Sequence, residues 1–79
     1  MKYKNLTIGP YEALANAIVL QAVKDYRRAL KSYLRNPSNN SARYKKESLE
    51  RFFLSDWYRL LTAVDGEMLI EKINQEVKE

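Results

Sequence analysis

Apolar residues recur at three- and four-residue intervals along most of the chain, the spacing of one face of an α-helix. Residues 1–9 differ. There Lys2, Tyr3, Lys4, Leu6 and Ile8 alternate loosely, which suits an N-terminal arm with a brief extended segment. Gly9-Pro10 then opens a run with no further Gly or Pro from Tyr11 to about Arg35. Pro at a first helical position loses nothing, because its missing N–H would have no partner there. Glu12 suits the positive end of the helix dipole. The run predicts one helix over 10–35, about 37 Å long. Asn36-Pro37 ends it, since the residue before Pro avoids the helical region. Residues 36–41, Asn-Pro-Ser-Asn-Asn-Ser, are the one loop-like stretch and join two helices rather than two domains.

Residues 42–79 read as shorter helices. The second runs from about Ser41 to Leu54, capped by Asn40 or Ser41, with Leu49, Phe52 and Phe53 inward. Ser55-Asp56 caps a third over Trp57–Val64, with Trp57, Leu60, Leu61 and Val64 inward and Tyr58 and Arg59 outward. Asp65-Gly66 reads as a turn and cap for a fourth helix, Gly66–Val77, which buries Leu69, Ile70, Ile73 and Val77. The class is all-α: a small helical bundle of three to four helices with a long first helix, in a single domain over 1–79.

On a helical wheel the apolar residues of the first helix fill about 200° of arc, whereas packing on one core needs little more than about 100°. Two seams lie inside this arc. One is Tyr11, Leu14, Ile18, Ala22 and Ala29; the other is Val19, Val23, Tyr26, Leu30 and Tyr33, which has heptad spacing. Either the other helices cover both seams, or the second is an oligomer face that would line a homodimer.

Charge is unevenly placed. The formal net charge is +4, yet residues 24–46 carry eight basic side chains against Asp25, and residues 47–79 carry eight acids against four bases. The basic set is Lys24, Arg27, Arg28, Lys31, Arg35, Arg43, Lys45 and Lys46. Such a face attracts an acidic protein or nucleic acid, or it is simply solvated. Tyr26, Tyr33 and Tyr44 would anchor a protein partner beside it. Phosphate contacts by the same residues would give a small nucleic-acid-binding regulator. No zinc-finger, homeodomain or RNP signature accompanies them. A helix-turn-helix drawn through Leu49–Leu61 would offer only Arg59 as a strong base-reading donor.

The chain has no His and no Cys, which removes the commonest acid–base group, the commonest metal ligands and the thiol nucleophile. No metal, no cofactor and no enzymatic activity is expected. Asp56 and Asp65 fit helix caps better than catalytic groups. The longest uncharged stretch, Ala13–Val23, is too short to span a membrane, and the N-terminus has no apolar leader. A cytoplasmic protein without membrane contact follows as the expectation. A core of this size supplies only about 3–5 kcal/mol.

The segments Ala15–Leu30, Glu50–Thr62 and Val64–Ile70 resemble small uncharacterised helical proteins of Gram-positive prophages and integrative elements. The resemblance implies a setting, the cytoplasm of a bacterial host, and no particular site residue. It suggests a phage or mobile-element accessory protein that binds a host or phage protein stoichiometrically, as inhibitors of defence systems such as CRISPR nucleases do. A structural subunit of a larger assembly is the further alternative.

Overall fold

The computed structural model describes residues 9–78; the extended segment expected within the N-terminal arm falls outside them. Four helices follow one another: α1 Pro10–Arg35, α2 Asn40–Phe53, α3 Asp56–Leu61 and α4 Gly66–Lys78. No strand occurs among the described residues. The protein is an all-α bundle in which α2, α3 and α4 all pack on α1.

Local chemistry sets each boundary. The Gly9 N–H donates to Glu12 Oε1 at 2.9 Å, satisfying one of the donors ahead of α1. Asn39, one residue ahead of the expected caps, starts α2 by accepting from the Ala42 N–H at 3.0 Å. Four cap-forming residues, Ser38 to Ser41, stand in a row there, and the second of them is used. Ser55 serves two helices: its Oγ donates to the Phe52 carbonyl at 2.7 Å and accepts from the Tyr58 N–H at 3.1 Å. Asp65 Oδ1 accepts from the N–H groups of Glu67 and Met68 at 2.9 and 3.3 Å and so starts α4.

The core joins all four helices. Tyr26 and Leu30 of α1, Phe53 of α2, Tyr58 of α3 and Ile73 of α4 are its fully buried large side chains. Phe53 is central, with edge-on ring contacts to Tyr26 at 5.8 Å and to Tyr58 at 5.6 Å. Such pairs contribute about 0.5–1.5 kcal/mol beyond their area. Of the α4 residues expected inside, Ile73 is buried and Leu69, Ile70 and Val77 pack partly against the core.

Two expectations are corrected. The expected inward set of the third helix was Trp57, Leu60, Leu61 and Val64, but only Leu61 is buried. That pattern needs two helical turns, and α3 ends at Leu61 because Thr62 is extended. The ring set edge-on against Phe53 is Tyr58, 1% exposed, where the pattern predicts a surface residue. The second correction concerns the seam Val19, Val23, Tyr26, Leu30 and Tyr33. It is not a free oligomer face: Tyr26 and Leu30 are in the core, Val19 and Val23 pack against it, and Tyr33 is half-buried.

The two buried tyrosines differ in their polar ends. Tyr26 Oη donates to Glu50 Oε2 at 2.7 Å and accepts from Asn74 Nδ2 at 2.9 Å, linking α1, α2 and α4. Tyr58 Oη is buried without a partner. Removing one partner of a made bond costs about 1–2 kcal/mol, whereas deleting an unpaired buried hydroxyl removes a desolvation cost. Tyr26→Phe is therefore expected to lower stability by about 1–2 kcal/mol, and Tyr58→Phe to be neutral or stabilising, by urea unfolding. A loss of more than about 1 kcal/mol in Tyr58→Phe would show that its hydroxyl has a partner in solution.

Candidate interaction surface

Helix geometry groups the basic residues of α1. Lys24, Arg28, Lys31 and Arg35 fall within about 60° of arc and span about 16 Å of the helix. All four are exposed on the side of α1 opposite the core. Lys24, Arg27, Arg28 and Lys31 together line a shallow hollow on this side. A second groove, between α1 and α2, is lined by both Arg28 and Lys45, so Lys45 joins the same basic field.

The other three basic residues are separated from this field by their own contacts. Arg27 Nε lies 2.8 Å from Glu76 Oε2, and its Nη2 donates to Glu76 Oε1 at 3.3 Å, which ties α1 to α4. The Nε–H is not aligned for a hydrogen bond, so the Nη2 bond is the directional one. Lys46 pairs with Glu50 at 3.1 Å and lies 5.4 Å from the centre of the Tyr33 ring. Glu50 in turn accepts from Tyr26, so Lys46 balances a carboxylate used by the core. Arg43 is exposed but stands two residues from Lys45, hence on the opposite flank of α2. Its Nη2 reaches Asn40 Oδ1 at 3.4 Å.

The eight basic residues thus divide. Lys24, Arg28, Lys31, Arg35 and Lys45 share one field; Arg27 and Lys46 are structural ion pairs; Arg43 stands alone. Within the field only Arg28 has an acidic partner among the described residues, Asp25 at 3.5 Å on an exposed flank. Such a pair contributes little. The expected tyrosine anchors divide as well. Tyr26 is buried and Tyr33 is half-covered, while Tyr44 is exposed. Sequence reasoning missed the exposed Leu34, which adjoins the C-terminal end of the stripe. Its signal was its place on the wheel: it lies beyond the residues that meet the core.

The described residues contain no group of three or more His, Cys, Asp or Glu side chains able to hold a metal ion. None of their helices is long and apolar enough to cross a membrane. No family model, curated protein or solved structure matches the chain. The surface itself is therefore the basis for a functional reading. It is a straight row of cations on a rigid helix, bordered by an exposed leucine, and it offers charge attraction with little reacting chemistry.

Proposed function

We propose that this protein acts by stoichiometric binding to another protein, with the outer face of α1 meeting an acidic surface. The observation that carries this reading is the stripe Lys24, Arg28, Lys31 and Arg35, four exposed cations aligned on one helix face. Complementary charge steers association and raises on-rates by about 10- to 1,000-fold. Leu34 favours a protein over nucleic acid as the partner, because an exposed leucine gains from apolar contact and nothing from phosphate. In the setting implied by the resemblance to mobile-element proteins, the partner is a host or phage protein. Inhibition of a defence enzyme is one form such binding takes.

The test replaces Lys24, Arg28 and Lys31 by Glu and leaves Arg35, where an acid in the last turn would oppose the helix dipole. These side chains are exposed, so circular dichroism should be unchanged. Affinity capture from host lysate, with and without nuclease, is compared with a gel shift on duplex DNA at low salt. The expected result is a protein captured by the wild type in both conditions, lost in the triple variant, with no DNA shift. Capture that disappears on nuclease treatment together with a salt-sensitive DNA shift would assign the stripe to phosphate instead.

A further inference from the structure

The two halves of α1 treat solvent in opposite ways. Beyond Lys24 its outer side is cationic. From Ala13 to Val23 it carries no charge on any side. A helix with only one face on a core ordinarily bears charged or polar residues on the other. Here Ala15 and Ala22 supply the buried side, while the outer side presents the exposed Ala13, Ala17 and Leu20, with Asn16 and Gln21 as its exposed polar but uncharged residues. Leu20 is 60% exposed, Leu14 60% and Tyr11 66%.

α3 carries exposed apolar residues of its own. That helix lays Tyr58 and Leu61 on the core. Its flank with Arg59 and Thr62 borders a hollow shared with the start of α4. Trp57 and Leu60 occupy the flank away from α4 and are 58% and 74% exposed. On α1, the ion pair of Arg27 with Glu76 marks the α4 side. By helical phase Tyr11 and Leu14 lie on the side away from it. Leu20, seven residues before Arg27 and so close to it in phase, lies toward the α4 side, and the two leucines flank Ala17 from opposite sides.

We propose that this surface docks a second copy of the chain, with the uncharged halves of the two α1 helices packed antiparallel about a twofold axis near Ala17. Charge argues for the occupant. A twofold interface sets a surface against itself, so a charged face would oppose its own sign. Ala13–Val23 is the one long stretch of α1 where self-apposition meets no repulsion. Charge also fixes the direction. Parallel packing would bring the two basic stripes side by side; antiparallel packing sends them to opposite ends of the dimer. Leu14 and Leu20 are each three residues from Ala17, so each leucine meets the other kind across the axis. The small side chains of Ala13 and Ala17 let the helix axes approach to the lower part of the usual range of about 8–10 Å. The dimer presents two basic stripes and so binds a repeated acidic target bivalently.

The chain has no Cys, which makes cross-linking diagnostic. Sedimentation equilibrium of the wild type should show an apparent mass rising from 9.3 kDa toward twice that with concentration. Leu14→Asp/Leu20→Asp should remain a monomer throughout with unchanged helicity, since neither side chain is in the core. Under mild oxidation Ala17→Cys should form a disulfide-linked dimer. Lys24→Cys should not, because the two thiols would stand about 21 Å apart along the antiparallel pair. A wild type that stays monomeric up to about 1 mM overturns the proposal, since that bounds binding to weaker than about −4 kcal/mol. Equal cross-linking of Lys24→Cys and Ala17→Cys overturns the antiparallel arrangement. Neither readout involves the acidic partner, so the proposed function stands or falls separately.

Discussion

Gly66→Ala is expected to destabilise the protein by about 3 kcal/mol or more, at the upper end of what overpacking costs. Gly66 is the first residue of α4, and it sits where that helix meets the end of α2. A methyl built on it would overlap the Phe53 carbonyl oxygen and stand 2.9 Å from the carbonyl carbon, with the Tyr58 ring at 3.3 Å. The first two atoms are backbone, and Phe53 is the centre of the aromatic core, so neither can yield without moving α2. The glycine is not needed for its backbone angles, since no described residue has positive φ. Its role is to leave room. Gly9→Ala is the matched control: a methyl there meets only the flexible end of Glu12, at 3.3 Å. That change should cost no more than about 1 kcal/mol. Urea denaturation measures both, and for a domain of this size a loss of 3 kcal/mol lowers the Tm by about 12–24 °C. A Gly66→Ala protein within about 1 kcal/mol of the wild type would mean that α4 can shift away from Phe53 at little cost.

Gly66 also illustrates what the sequence can reveal. Asp65-Gly66 reads as a turn, and Asp65 does cap α4, but the contact that requires glycine comes from Phe53, thirteen residues earlier. Local signals of this kind located the helices well. Gly9-Pro10 and Asn36-Pro37 bound α1 where the pattern placed it, because Pro acts on its immediate neighbours. Helix phase was legible where the helix is long enough to repeat its pattern. In α3, six residues long, the choice between Trp57 and Tyr58 was made by the Phe53 ring. The candidate surface was legible as composition and illegible as grouping. Nothing near Arg27 in the chain indicates that Glu76, forty-nine residues away, will hold it. The surplus apolar arc of α1 was visible, yet which seam is covered depended on where α2, α3 and α4 pack. The heptad seam went into the core, and Tyr11 and Leu14 of the other seam stayed exposed.

Raising the pH above about 10 is expected to destabilise the protein steeply, with loss of about 2–3 kcal/mol from Tyr26 alone by pH 12. Burial, together with donation to the Glu50 carboxylate, raises the Tyr26 pKa far above its ordinary value; the bond from Asn74 opposes this only in part. Burial raises Tyr58 in the same direction, aided by the nearby Asp65 charge. In the unfolded chain the Tyr26 hydroxyl ionises near pH 10, whereas in the folded protein it keeps its proton well above that. The unfolded state then binds fewer protons, so stability falls as pH rises, by about 1.4 kcal/mol per pH unit for Tyr26, with Tyr58 acting in the same direction. Below about pH 9 the hydroxyls are neutral in both states and their contribution is fully present. Against a core that supplies about 3–5 kcal/mol, this loss brings the protein close to unfolding by about pH 12. Helicity by circular dichroism should fall together with the part of the tyrosinate absorbance that the wild type shows and Tyr26→Phe lacks, because that buried ring ionises only as the chain opens. Tyr26→Phe separates the contributions: it is less stable at neutral pH yet falls less steeply above pH 10, so its stability curve converges on that of the wild type. Equal alkaline slopes in the two proteins would mean that Tyr26 ionises in place, with Glu50 and Asn74 moving to let water reach it.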